Sequence, residues 1–207
     1  MIFTLSDIEQ LARIPRLTLI NCITGFKSAN LVGTSSASKI PNLAIFSSAV
    51  HLGSDPALIG IVTRPVDGEL KTTRHTYQNI RESGFFTLNH IHTGIIEAAH
   101  QTSAAYPDAV SEFEQVGLTP FWSKRLPNAP YVAESRIRLG LEYVEEYNIA
   151  ANNTILIVGK VLELYLPDTC VDSHGNVDLN LAETVAISGI DTYHQGQQLK
   201  RLEYARV

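Results

Sequence analysis

Between Asn42 and Asn79 the chain gathers residue types that suit a small ligand with one flat end and one anionic end. Asn42 opens a strand-like stretch that runs into Ser47, Ser48, Ala49 and Val50. Small side chains just after a strand let backbone amides approach a flat group closely, and His51 stands beside them. Arg64 and Arg74 are cations, and Thr76 and Asn79 fall in the opening turns of an expected helix over 76–83. A helix start offers unpaired amides and the positive end of its dipole, so this second group suits a phosphate. Each of these residues alone is an ordinary turn or capping residue. Their succession is what carries the reading.

Other chemistries find less support. The chain has no Gly-x-Ser-x-Gly elbow, and neither Cys22 nor Cys170 stands in a nucleophile setting. No catalytic acid, base or nucleophile is assigned. A Gly-x-Gly-x-x-Gly fingerprint is also missing, so a pyridine nucleotide would have to bind outside a Rossmann domain. His90 and His92, spaced to share one face of an extended segment, with His100 nearby, are the remaining metal candidates. A site needs a third convergent ligand that nothing fixes, so no metal is expected, and a small metal-binding barrel is the remote alternative.

The elements that must position these residues are mostly strands. Leu5, Ile8, Leu11 and Ala12 share a helical face that Pro15 is expected to end, and 17–24 reads as a buried strand. Strands are expected over 29–36, 44–47, 58–62 (between Pro56 and Pro65) and 85–90. The helix over 76–83 has Thr73 or Thr76 to cap it and Gly84 to end it. Residues 94–117 are helical in pattern with a break at Tyr106-Pro107-Asp108, and a proline-marked loop follows. Two long strands, 136–147 and 154–165, flank an Asn152-Asn153 turn. Asp172 to Gly175 forms a further turn, and 179–183 is weakly helical.

The order of short motifs resembles the flavin reductase-like family. Asn42-Leu43-Ala44 leads into serines; Asp55-Pro56 precedes an apolar strand; Thr76-Tyr77-Gln78-Asn79-Ile80 opens a helix; Gly84-Phe85 begins a strand that ends in Asn89. The resemblance continues through Glu112-Phe113-Glu114, Gly117-Leu118-Thr119, Gly159-Lys160-Val161 and Asp172 to Asp178. It implies a mainly β fold, an antiparallel split β-barrel of the FMN-binding type with short peripheral helices, in one domain over 1–207. It also implies FMN as cofactor (FAD is the alternative) and NAD(P)H as electron donor. The implied partners are those small molecules and a second copy of the chain, in a homodimer with the flavin near the interface. The implied cofactor-binding residues are Asn42, Ser47, Ser48, Ala49, Val50, His51, Arg64, Arg74, Thr76 and Asn79. Tyr106, Phe113 and Trp122 are candidates to cover the flavin. The activity expected is NAD(P)H-dependent flavin reduction; a flavoredoxin-type carrier and a non-enzymatic flavin-binding module are the alternatives. Relatives often carry an arginine shortly before the glycine that is Gly189 here, where this chain has Ala186; Lys200, Arg201 and Arg206 are the later cations.

Composition agrees with such a domain. Hydrophobic residues make up 44% and charged residues 18% of the 207 residues, enough for one substantial core. With 16 basic against 21 acidic residues the formal net charge is −5, and the basic residues are scattered, so nucleic acid is not an expected partner. No disulfide framework is implied by two distant cysteines. The N-terminal residues lack the pattern of a secretory signal, and no apolar run of membrane-spanning length occurs. A cytoplasmic protein with no membrane association is expected.

Overall fold

The computed structural model describes residues 1–64, 74–107 and 109–206; Pro65, Thr73 and Asp108 of the readings above lie outside them. Two helices, α1 (Leu5–Gln10) and α2 (Arg13–Cys22), open the chain. Thr4 and Asp7 form a reciprocal cap on α1. The expected buried strand over 17–24 is instead most of α2, and none of its residues is buried. Pro15 sits in the first turn, where its missing N–H would have had no intrahelical partner, so it starts the helix region and does not stop it. Lys27 Nζ reaches the Asn21 carbonyl at 3.3 Å and the Gly189 carbonyl at 3.0 Å, tying the end of α2 to the body.

The strands are β1 (Lys27–Ser28), β2 (Asn30–Ser35), β3 (Pro41–Phe46), β4 (Ala49–Ser54), β5 (Ala57–Thr63), β6 (Phe85–His90), β7 (Pro120–Phe121), β8 (Tyr131–Val132), β9 (Arg138–Ile149), β10 (Thr154–Tyr165), β11 (Val185–Ser188) and β12 (Thr192–Gln195). Between β5 and β6 lies α3 (His75–Ser83), and between β6 and β7 lie α4 (Ile96–Gln101) and α5 (Glu112–Val116). Thr76 is not the cap of α3: Arg74 occupies that place, and Gly84, with φ 74°, ends the helix in the left-handed conformation. The weakly helical reading of 179–183 corresponds to turns only.

Among the described residues the main sheet is antiparallel in the order β3-β2-β6-β9-β10-β5-β4. Its two edge strands, β3 and β4, are consecutive in the chain and joined only through Ser47 and Ser48. Laid flat, seven strands would hold those edges roughly 29 Å apart. Three residue steps from Phe46 to Ala49 span at most about 11 Å. The sheet must therefore curl until its edges meet at the serines, which makes it a split barrel. Alternation along β2 sends Val32 into the barrel, with Ile61, Phe86, Leu88, Leu141, Ile155 and Ile157, while Ile80 of α3 joins them. Leu31 points the other way into a second core, with Leu43, Phe113, Val132, Val185 and Ile187, that lies under α4 and α5. None of the described helices is long and apolar enough to cross a membrane.

Candidate functional site

The seam of the barrel brings one group of the expected site residues together. The Ser48 hydroxyl donates to the Val62 carbonyl at 2.7 Å, and the Val62 amide donates to the Ser48 carbonyl at 3.3 Å. That stitch holds the Ser47-Ser48 link against β5 and places Arg64, two residues beyond Val62, at the same seam. Beyond the two serines, Ala49 and Val50 begin strand β4. Ala49 pairs with Ile61 and packs on the barrel core, whereas Val50 pairs with Gly60 on the outer side and is exposed. His51 pairs with Ile59 and is exposed. Because β4 is an edge strand, its outer backbone groups have no neighbouring strand among the described residues. Small side chains and strand-edge amides suit the polar rim of a flat ligand.

A second group sits at the other end of β3, five residues or roughly 17 Å along the strand. Asn42 donates from Nδ2 to Thr34 Oγ1 at 3.0 Å and to Thr76 Oγ1 at 3.2 Å, and Asn79 Nδ2 donates to the same Thr34 oxygen at 3.1 Å. All four side chains are buried. Their polar atoms satisfy one another, so this network first of all docks α3 on β2 and β3. A cavity of about 230 Å³ lies against it, lined by Ser36, Ser38, Asn42, His75, Gln78 and Asn79. At the start of α3 Arg74 has extended backbone and makes no side-chain cap, so a cation stands at the positive end of the helix dipole.

Sequence reasoning missed two members of this region, Thr34 and Glu112. Glu112, in the first turn of α5, is buried and accepts a hydrogen bond from the Leu43 amide at 3.0 Å. It thereby satisfies an N–H on the edge strand that leads to the seam. Burial pushes its carboxyl above the ordinary value, opposed by the Leu43 amide, its own amide and nearby His75. Its place next to Phe113 at the start of a short helical stretch was the available signal.

The remaining candidates separate. His90 and His92 do not share a site: His90 ends β6 with its ring buried, while His92 accepts from the Gly94 amide at 3.1 Å and contacts the Glu134 carbonyl at 3.1 Å. Among the described residues no three His, Cys, Asp or Glu side chains converge as metal ligands would. Burial pushes the His90 imidazole down to about 4, so it is neutral at pH 7. Phe113 belongs to the core under α5 and cannot cover a ligand at the surface. Tyr106 is tied to Gln101 at 3.2 Å, and Trp122 is exposed. Ala186 lies in β11 between Ser28 and His194, and Arg201 pairs with Asp172 at 3.3 Å.

The Flavin reductase like domain matches residues 23–179, which is most of the chain, so this protein belongs to that family. A split-barrel protein of Shewanella frigidimarina NCIMB 400, assigned as a flavin reductase, is 42% identical; the match covers 99% of this chain and 100% of that one, with a TM-score of 0.93. Nitrilotriacetate monooxygenase component B from Bacillus cereus shares the fold at a TM-score of 0.84, with 17% identity over 98% of this chain and 99% of that one. Flavoredoxin of Desulfovibrio vulgaris (Miyazaki F) does so at 0.74, with 20% identity over 87% and 92%.

Proposed function

We propose that the chain binds FMN and acts as an NAD(P)H-dependent flavin reductase, working in the cytoplasm as a homodimer. The observation that carries this reading is the seam, where Ser47 and Ser48 join the two sheet edges beside an open strand backbone and Arg64. When bound, a flavin supplies the hydride-accepting chemistry between a nicotinamide donor and an electron acceptor. The protein's part is to bind and orient. Edge amides of β4 and the Ser47 hydroxyl suit the polar edge of a flavin ring, and Ala49 and Val50 leave room for its flat face. Arg74 and the uncapped start of α3 suit the phosphate, with Arg64 as the second cation. No side chain needs to move a proton for hydride transfer, which fits a seam without a paired acid and base.

Ala186, where relatives often carry arginine, favours a second reading in which the flavin passes electrons between proteins without a nucleotide, as a flavoredoxin-type carrier would. Both readings are tested on the purified protein by its absorbance spectrum with FMN and then, without oxygen, with NADH and NADPH. Flavin absorbance that bleaches on adding nucleotide supports the reductase. Bound flavin that ignores both nucleotides supports the carrier. If added FMN does not bind at all, the flavin reading fails.

A further inference from the structure

We propose that Arg138 is the centre of a second ligand site, across the barrel from the seam, that takes a small aromatic carboxylate. The proposal does not rest on the flavin reading above.

Arg138 opens β9, where it pairs with Tyr165 at the end of β10. Its guanidinium carbon lies 4.9 Å from the centre of the Tyr165 ring and 5.3 Å from that of Phe121 in β7. Those two rings meet edge to face at 5.6 Å, and Tyr131 of β8 backs both, 5.2 Å from Tyr165 and 5.9 Å from Phe121. The base of this cluster is fixed. Tyr131 is fully buried, and its hydroxyl donates to Glu163 Oε1 at 2.7 Å. Gly140, next to Arg138 on the same face of β9, makes room for it, because a side chain there would collide with the Tyr131 hydroxyl and with Leu126.

A half-buried cation ordinarily has an acid beside it. Arg81, Arg136 and Arg201 each do, at 3.4, 3.0 and 3.3 Å from a carboxylate oxygen. Arg138 does not. Among the described residues its guanidinium forms no hydrogen bond and no ion pair; Nε is buried without a partner, while the two Nη nitrogens stay open to solvent. Glu163, two residues before Tyr165 and so on the same face, is engaged by Tyr131 instead.

The ring faces hold this cation by its flat side and fix its direction. They accept no N–H bond in the plane of the fork, so its outer edge keeps donors for a group that the chain does not supply. Two parallel N–H bonds match the two oxygens of a carboxylate. A single uncompensated charge suits a singly charged anion better than a doubly charged phosphate. Phe121, 36% exposed, continues the site as an apolar shelf beside the charge, which suits a flat ring attached to that carboxylate. Strand β9 is the middle one of the seven, three strands from either edge, so the site lies across the barrel from the junction at Ser47 and Ser48.

Trp122, the one tryptophan of the chain, adjoins Phe121, so its fluorescence reports on this place. The full chain is titrated with benzoate, benzamide and inorganic phosphate, followed by that fluorescence and by calorimetry. Benzoate is expected to bind with a Kd of about 1 mM or below, and benzamide and phosphate at least about tenfold more weakly. Arg138→Gln is expected to weaken benzoate binding at least about tenfold with an unchanged circular dichroism spectrum. Arg138→Lys, which keeps the charge without the flat fork, is expected to lose nearly as much and decides the matter if the Gln variant does not fold. No heat and no fluorescence change up to about 20 mM benzoate overturns the proposal. Equal affinity for benzamide overturns the role of the charge, and equal affinity for phosphate overturns the role of the ring. A folded Arg138 variant that binds benzoate as the wild type does overturns the choice of residue. Benzoate that is displaced by FMN overturns the separation from the seam.

Discussion

Replacing Glu112 separates two effects that one carboxylate now combines. Its oxygen satisfies the Leu43 amide on edge strand β3 at 3.0 Å, and its charge is held in a buried place. Glu112→Ala removes the acceptor and leaves a buried N–H without a partner, which costs about 1–3 kcal/mol. Glu112→Gln keeps a carbonyl oxygen for the same amide and removes the charge. The native carboxyl titrates above its ordinary value near 4.5 because burial disfavours the anion. Between that value and the raised one the native state holds a proton that the unfolded chain has released. Stability therefore falls as pH rises through this window, and the penalty is complete above the raised value. Urea unfolding from pH 4 to 8 is expected to show Glu112→Gln at least as stable as the wild type at pH 7, with its advantage shrinking toward pH 4. Glu112→Ala is expected to be less stable than Glu112→Gln at every pH. Equal stability of the Ala and Gln variants would show that the Leu43 bond contributes nothing. A constant difference between wild type and Gln across the range would show that Glu112 does not titrate there.

His90 works in the opposite direction: its value is depressed to about 4, so the unfolded chain binds the extra proton. Stability from this residue is present above about pH 6.5 and is lost as pH falls toward 4, by roughly 3 kcal/mol in full. In His90→Leu that acid-side decline should flatten in thermal melts at matched pH; an unchanged profile would show the ring is not buried as neutral imidazole. Arg74→Ala should weaken FMN binding by about 1–3 kcal/mol if its guanidinium meets the phosphate, and unchanged affinity in a fluorescence titration would remove it from the site. Ser48→Ala deletes the 2.7 Å bond to the Val62 carbonyl and should cost about 1 kcal/mol in urea unfolding. A loss below the error of that measurement would mean that the backbone bond from Val62 to Ser48 holds the seam alone.

Elements whose signals were local were legible, and those that depend on distant partners were not. Strand β6 runs over Phe85–His90 as its aromatic and β-branched run implies, between Gly84 and the turn that follows. The β9–β10 hairpin turns at Asn153, whose φ of 54° is the conformation asparagine tolerates best after glycine. The run over 17–24 reads as a strand but forms a helix, because a short apolar stretch fits either. Its surroundings decide: Pro15 falls in a first turn, and Lys27 donates to the Asn21 carbonyl near the other end. Strand β4 was hidden because His51, Gly53 and Ser54 have weak strand preference. Its place comes from pairing with β5 and from the link that closes the barrel.

The same distinction applies within the candidate site. A succession of motifs can locate a region, but it cannot say which polar atoms face a ligand and which face one another. Asn42, Thr76 and Asn79 stand 34 and 37 positions apart from first to second and third, and only the fold brings Thr34 between them. Once Thr34 is included, the two amides have partners, and the network accounts for the burial of all four residues without a ligand. Ser47, Val50 and the edge of β4 have no comparable internal explanation. An open strand edge bearing exposed apolar side chains is a liability unless something covers it, and here it adjoins the one junction that closing the barrel requires. Structural economy explains the first group; the second is where binding has to be sought.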